Sequence, residues 1–132
     1  MVIDSSAILS ILLGEPDAEQ YALALSRADR RLISSVSNLE CSVVLLARKG
    51  SAALQSLQAL FFRARIEEVG FSAEQNIIAI DAYRRFGKGR HPAKLNLGDC
   101  CSYALAKSLA LPLLFKGDDF SQTDLIDARS LS

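Results

Sequence analysis

Four short strand-like segments, spaced by helix-length stretches, constrain this chain more than any other feature. Val2-Ile3, Leu32-Ile33 and Leu113-Leu114-Phe115 are apolar, Ile66 to Val69 carries β-branched residues at both ends, and all four are too short for helices. Between them, helix-capping residue types open longer stretches. Asp4-Ser5-Ser6 precedes Ala7 to Leu13, and Asp17 precedes an Ala- and Leu-rich stretch to about Ala28. Ser34-Ser35 and Ser37 surround the start of a helix from Val36 to Lys49, and Ser51 opens another that runs to about Arg63. Ser72-Ala73-Glu74 begins a helix to about Phe86, and Asn96 caps one over Gly98 to Leu109. Gly14 with Pro16, and Gly50, supply stops. The segment Gly87 to Leu97 holds two glycines, a proline and several basic residues, and reads as a loop. Strands joined through helices pair in parallel, because a parallel crossover needs a helix-sized connection, and parallel sheets are covered on both faces. The pattern predicts one α/β domain over residues 1–132, a short parallel sheet of four to five strands flanked by helices on both faces.

With 132 residues, half of them hydrophobic, the chain has enough apolar surface for one core. Fifteen Lys+Arg balance fifteen Asp+Glu, which excludes a broad basic field, so any attraction to nucleic acid is local. Basic residues gather at Arg27, Arg30 and Arg31, at Arg63 and Arg65, and at Arg84, Arg85, Lys88, Arg90 and Lys94; the first two groups read as solvated faces. Met1-Val2-Ile3-Asp4 is unlike a signal peptide, and no run approaches the roughly 18 to 20 apolar residues of a membrane helix, so a cytoplasmic protein without membrane association is expected. Three cysteines, Cys41, Cys100 and Cys101, argue against a disulfide framework, being odd in number with two adjacent. Nothing at zinc-ligand spacing occurs. His91, before Pro92 in the basic loop, reads as a surface residue, which leaves no Ser-His-Asp or Cys-His machinery, and no strand is followed by a Gly-rich phosphate loop.

The acids carry more. In an open parallel sheet, ligands bind beyond the carboxyl ends of the strands. Asp4 follows the first strand, Asp118 and Asp119 follow the fourth, and Asp99 lies in the first turn of a helix over one end of the sheet. Taken singly, each has an ordinary account: helix cap, macrodipole partner or turn former. Glu40 is different. Val36, Glu40, Val43, Val44 and Ala47 fall on one helical face, which sets a carboxylate in an apolar stripe; it then needs a cation, unless it faces solvent at the stripe's edge. The helix after Asp99 has little polarity and should be buried, aiming that acid inward. Converging carboxylates with no His or Cys beside them favour a hard cation, Mg²⁺ or Mn²⁺. Such an ion lowers the pKa of a bound water and steadies the oxygens of an in-line phosphoryl displacement, so phosphodiester hydrolysis is the implied chemistry. Two other readings use a similar fold. A receiver-type phosphoacceptor domain would place a Lys near the last strand, as Lys116 is, but needs an acid pair after the first strand and a phosphoacceptor Asp after a middle one. Here Asp4 is single and the third strand ends in Val69-Gly70-Phe71. A non-catalytic binding module would use the acids as caps, and leaves Glu40 without a reason.

Four segments carry a further signal: Val2-Ile3-Asp4-Ser5-Ser6-Ala7-Ile8, Ser35-Val36-Ser37-Asn38-Leu39-Glu40, Asn96-Leu97-Gly98-Asp99-Cys100, and Leu113-Leu114-Phe115-Lys116-Gly117-Asp118-Asp119-Phe120. In this order and spacing, across the whole chain, they resemble a PIN-domain ribonuclease of the VapC toxin type. The resemblance implies a Mg²⁺- or Mn²⁺-dependent endoribonuclease, the toxin of a bacterial toxin–antitoxin pair, commonly a homodimer and inhibited by a VapB-type antitoxin. Asp4, Glu40 and Asp99 match the family's three best-defined acids. The fourth falls in Gly117 to Phe120, with Asp118 favoured and Asp119 close behind. By the same resemblance Asp4 and Asp99 would coordinate metal directly, Glu40 and Asp118 would act through water, and Ser6 would lie beside the site. The basic loop from Arg85 to Lys94 then becomes a candidate RNA contact, with tRNA, rRNA and mRNA all open as substrates.

Overall fold

A computed structural model describes residues 1–131 of the chain. The elements run β1 (Val2–Ile3), α1 (Ser5–Leu12), α2 (Ala18–Arg27), β2 (Arg31–Ser34), α3 (Ser35–Lys49), α4 (Ser51–Arg63), β3 (Ile66–Val69), α5 (Ala73–Phe86), α6 (Leu97–Leu109) and β4 (Leu113–Leu114). All strand pairs are parallel and the sheet order is β3-β2-β1-β4, so β1 is central. The expected α/β fold with a parallel sheet is the observed one. The sheet has four strands, and a single bridge from Leu113 to Asp127 is all that stands for a fifth.

Side chains alternate across a strand, and the two faces divide the core accordingly. Val2, Leu32 and Leu113 point to one side, where Ala82 and Phe86 of α5 and Tyr103 and Ala104 of α6 cover them. Ile3, Ile33 and Leu114 point to the other, against Ile8, Tyr21, Cys41, Leu45 and Leu57 from the first four helices. Helix starts follow the capping residues: Asp4, Ser34, Ser72 and Asn96 each accept a backbone N–H at the entry of α1, α3, α5 and α6. Gly50 ends α3 at φ +82°, a left-handed conformation that suits a residue without Cβ. Among the described residues no helix is long and apolar enough to cross a membrane.

Three details differ from the sequence reading. The buried row of α3 is Ser37, Cys41 and Leu45 rather than Val36, Glu40, Val43, Val44 and Ala47; Val43 is 55% exposed. A helix apolar on several sides does not reveal which side is covered, and here small side chains permit the close approach to α6. The loop between α5 and α6 is pinned: Ala93 and Leu95 are fully buried, Lys88 N–H donates to the Leu95 carbonyl, and Leu95 N–H donates to that of Phe86. His91 is half-buried within it, edge-on to the Phe86 ring at 5.2 Å, its Nδ1 accepting from the Ala93 N–H.

Candidate active site

Parallel strands send all their carboxyl ends to one edge, and the helices that follow β1 and β2 begin there with their positive ends. Asp4 sits at the end of β1 and is 3% exposed. As N-cap of α1 its Oδ2 accepts from Ser6 N–H at 3.0 Å and from Ser6 Oγ at 2.6 Å. Its Oδ1 accepts from Ser102 Oγ of α6 at 2.6 Å. Ser6 Oγ also accepts the Lys116 N–H at 3.0 Å, which ties the end of β1 to the chain leaving β4. The capping role expected of a lone Asp is therefore real, but a surface cap has no need of burial or of a third donor from another helix.

Asp99 is likewise a cap partner, in a reciprocal box in which Asn96 Oδ1 accepts the Asp99 N–H at 2.9 Å and Asp99 Oδ2 accepts the Asn96 N–H at 3.0 Å. Burial pushes its carboxyl up to about 6 against the opposing Asn96 hydrogen bond, with the charges of Asp4 and Asp119 adding to the rise. Glu40, one turn along α3 from Ser37, goes higher, to about 7, through burial and then the charges of Asp4 and Asp99. Its Oε1 is buried without a hydrogen-bond partner among the described residues. Gly98 makes the space for it, since a Cβ built there would run into the Glu40 carboxylate. Asp118 and Asp119 are exposed in the turn after Gly117, which takes φ +89°. Of the two, Asp119 is the one whose charge acts on Asp99.

Asp4, Glu40 and Asp99, carried from β1, α3 and α6, thus lie within electrostatic reach of one another, and Asp119 in the turn after β4 reaches Asp99. None of the ion pairs among the described residues includes any of them, or Asp118. Their oxygens are near neighbours without forming ligand geometry, for among the described residues no three acidic, His or Cys side chains are drawn in to one point. The donor set is all oxygen, one of those oxygens is an orphan, and a glycine keeps its surroundings clear. That chemistry fits a hard divalent cation.

At the end of α5, before the basic loop, Arg85 pairs with Asp81 and Asp124 and Arg84 with Asp81 through exposed side chains. Lys88, Arg90 and Lys94 remain exposed. Sequence reasoning passed over Gly98, Ser37 and Ser102. A signal was available: Ser37 lies three residues before Glu40 and Ser102 three after Asp99, one helical turn from each acid.

Comparison with known proteins adds a family. The model of the PIN domain matches residues 1–125. The chain belongs to the PIN domain family. This PIN domain is 47% identical over 125 residues to a VapC ribonuclease of Mycobacterium bovis, covering 95% of each chain. It is also 47% identical to a ribonuclease VapC of Mycolicibacterium smegmatis, over 95% of this chain and 97% of that one. Among solved structures it superposes on Mycobacterium tuberculosis VapC20, described as a sarcin-ricin loop cleaving toxin, with TM-score 0.79 at 16% identity over 96% of both chains. A toxin–antitoxin complex from Klebsiella pneumoniae matches with TM-score 0.71 at 17% identity, over 93% of this PIN domain and 92% of that chain. At those identities the structures speak for the fold, while the sequence relatives set the chain among the VapC ribonucleases.

Proposed function

We propose that this PIN domain is a divalent-metal-dependent endoribonuclease acting as the toxin of a toxin–antitoxin pair. One observation supports the chemistry above others: carboxylates gather near the carboxyl end of the sheet with no ion pair among the described residues, and Glu40, raised by burial and by the charges of Asp4 and Asp99, buries an oxygen without a partner among them. The names carried by its nearly half-identical relatives support RNA as the substrate.

In this reading Asp4 and Asp99 would hold Mg²⁺ or Mn²⁺, with Glu40 and an acid of the Asp118/Asp119 pair in support; Asp118 fits the family match, and Asp119 is the one whose charge acts on Asp99. The bound cation supplies a water of lowered pKa and neutralises charge on the phosphoryl oxygens. The Glu40 carboxyl, raised to about 7 by burial and by the charges of Asp4 and Asp99, would position the attacking water and take up its proton. Ser6 and Ser102 hold the Asp4 carboxylate still. Lys88, Arg90 and Lys94 meet the RNA backbone, where exposed cations gain by displacing condensed counterions. Leu39 and Val43 of α3, 63% and 55% exposed, and Ile77 and Ile80 of α5, 70% and 52%, leave apolar side chains on two helices that a second copy of the chain could cover in a homodimer. A VapB-type antitoxin is the partner that family membership supports.

The test is cleavage of a cellular RNA pool by the purified protein with Mg²⁺, with EDTA, and with Asp4→Asn or Asp99→Asn in place of the wild type. Cleavage that disappears in EDTA and in both variants, with unchanged circular dichroism, is the expected result. Cleavage that survives in either variant removes these acids from the mechanism.

A further inference from the structure

The contact between α3 and α6 holds two hydroxyls where apolar side chains would be expected. Ser37 and Ser102 are each 0% exposed, and their Oγ atoms lie 2.9 Å apart. Ser102 Oγ is also 2.6 Å from Asp4 Oδ1. Because a serine hydroxyl has one proton, and Ser102 commits its own to the carboxylate, the bond between the two serines can run only one way. Ser37 donates to Ser102, and Ser102 donates to Asp4. On the other oxygen the same logic holds: Ser6 Oγ accepts the Lys116 N–H and so turns its proton to Asp4 Oδ2. The Asp4 carboxylate is an acceptor in every bond it makes.

The placement of the two serines matters as much as their bonding. Ser37 is three residues before Glu40 on α3, and Ser102 is three residues after Asp99 on α6. Residues three apart share a helix face. The hydroxyl pair therefore fastens the two helices one turn behind the two acids they carry, and the third acid, Asp4, is fastened to the same pair. Burying two hydroxyls costs free energy unless both are satisfied, so packing alone does not account for them.

Resting on the metal-nuclease reading above, we propose that Ser37 and Ser102 form a directed hydroxyl relay that positions Asp4 relative to Glu40 and Asp99 for the cation. They are positioning residues: neither touches the metal or the RNA. Groups behind metal ligands commonly change affinity about 10- to 100-fold when removed. Mn²⁺ titrated into wild type, Ser102→Ala, Ser37→Ala and the double variant by calorimetry, with melting of each metal-free protein alongside, tests the relay. Ser102→Ala should weaken Mn²⁺ binding about tenfold or more. Ser37→Ala should weaken it less, and the double variant should bind as Ser102→Ala does, because Ser37 acts only through Ser102. The metal-free proteins should all melt cooperatively. Wild-type affinity in Ser102→Ala, or losses in the two single variants that simply multiply in the double, overturns the relay while leaving the nuclease reading intact. Absence of Mn²⁺ binding by the wild type itself overturns both. Should Ser102→Ala fail to fold, Ser37→Ala alone decides: its affinity must fall, and wild-type affinity there refutes the relay.

Discussion

Helix α6 carries two groups of carboxylate contacts that were given opposite treatment. At its start, Asp99 crowds Asp4 and Glu40 with no cation, and Glu40 is driven up to about 7 by burial and by those two charges. One turn further on, Tyr103 Oη donates to Asp124 at 2.6 Å; a turn beyond it Lys107 Nζ pairs with the same side chain at 2.8 Å, and Arg85 lies at 3.5 Å. Burial works against ionisation of Asp124 as well, yet the bonds from Lys107 and Tyr103 override it and hold the carboxyl down at about 2. A protein that needs a carboxylate for structure surrounds it with resident donors and cations. Asp4, Glu40 and Asp99 have no cationic partner among the described residues, which keeps their charge available for something that arrives from outside.

The widest separation of the two groups should appear in cleavage. Asp4→Asn and Asp99→Asn should each lower RNA cleavage by at least about 100-fold with little loss of folding, whereas Asp124→Asn should leave the cleavage rate of the folded protein within a few-fold. Equal losses from both groups would erase the distinction. Gly98→Ala comes next: its Cβ displaces the Glu40 carboxylate, so cleavage should drop about tenfold or more. In the double variant Gly98→Ala/Glu40→Ala the melting temperature should recover and the cleavage should not, a non-additivity that a double-mutant cycle reads directly.

Stability should then separate the groups by sign. Asp124→Asn should destabilise by about 1–2 kcal/mol in urea unfolding, because Tyr103 and Lys107 lose a charged acceptor. Glu40→Gln, in the metal-free protein at pH 8, should raise the melting temperature by roughly 2–4 °C. The pH dependence follows the same division. Folded Glu40 and Asp99 titrate near 7 and 6, above the unfolded range of about 4, so between those limits the folded state binds more protons. Metal-free stability should fall as pH rises from 5 to 8, and saturating Mn²⁺ should flatten or reverse that slope. Asp124 works the other way: its stabilisation is complete above about pH 4 and is lost as pH falls toward 2. A metal-free stability that rises from pH 5 to 8 would contradict this assignment of the two groups.

The elements were legible because local signals agreed with the tertiary answer. Capping residues mark the starts of α1, α3, α5 and α6, and the short segments left between the helices are too brief to be helices themselves. Where several faces of one segment are apolar, local pattern stops deciding. Hence α3 turned its small residues inward, and Glu40 lies beside the buried row rather than within the stripe its neighbours suggested. Asp4 and Asp99 were placed by their positions after a strand and at a helix start, both consequences of parallel topology. The choice between Asp118 and Asp119 depends on how the turn after Gly117 winds, which adjacent identical residues do not encode. Ser102 could be recognised only once α6 was laid against β1, since its partner Asp4 is 98 residues away.

The position of β1 has a consequence for the order in which the molecule can come into being. Val2 and Ile3 lie in the middle of the sheet, with β2 on one flank and β4, more than a hundred residues later, on the other. During synthesis β1 therefore emerges long before β4, which supplies its second flank, and distant pairings of this kind are slow to close. The carboxylate after β1 waits for Ser102 and for the Lys116 amide until that late stretch has emerged. Contacts that span 98 and 110 residues set the geometry around this carboxylate, so a chain that stops short of α6 lacks the assembled site.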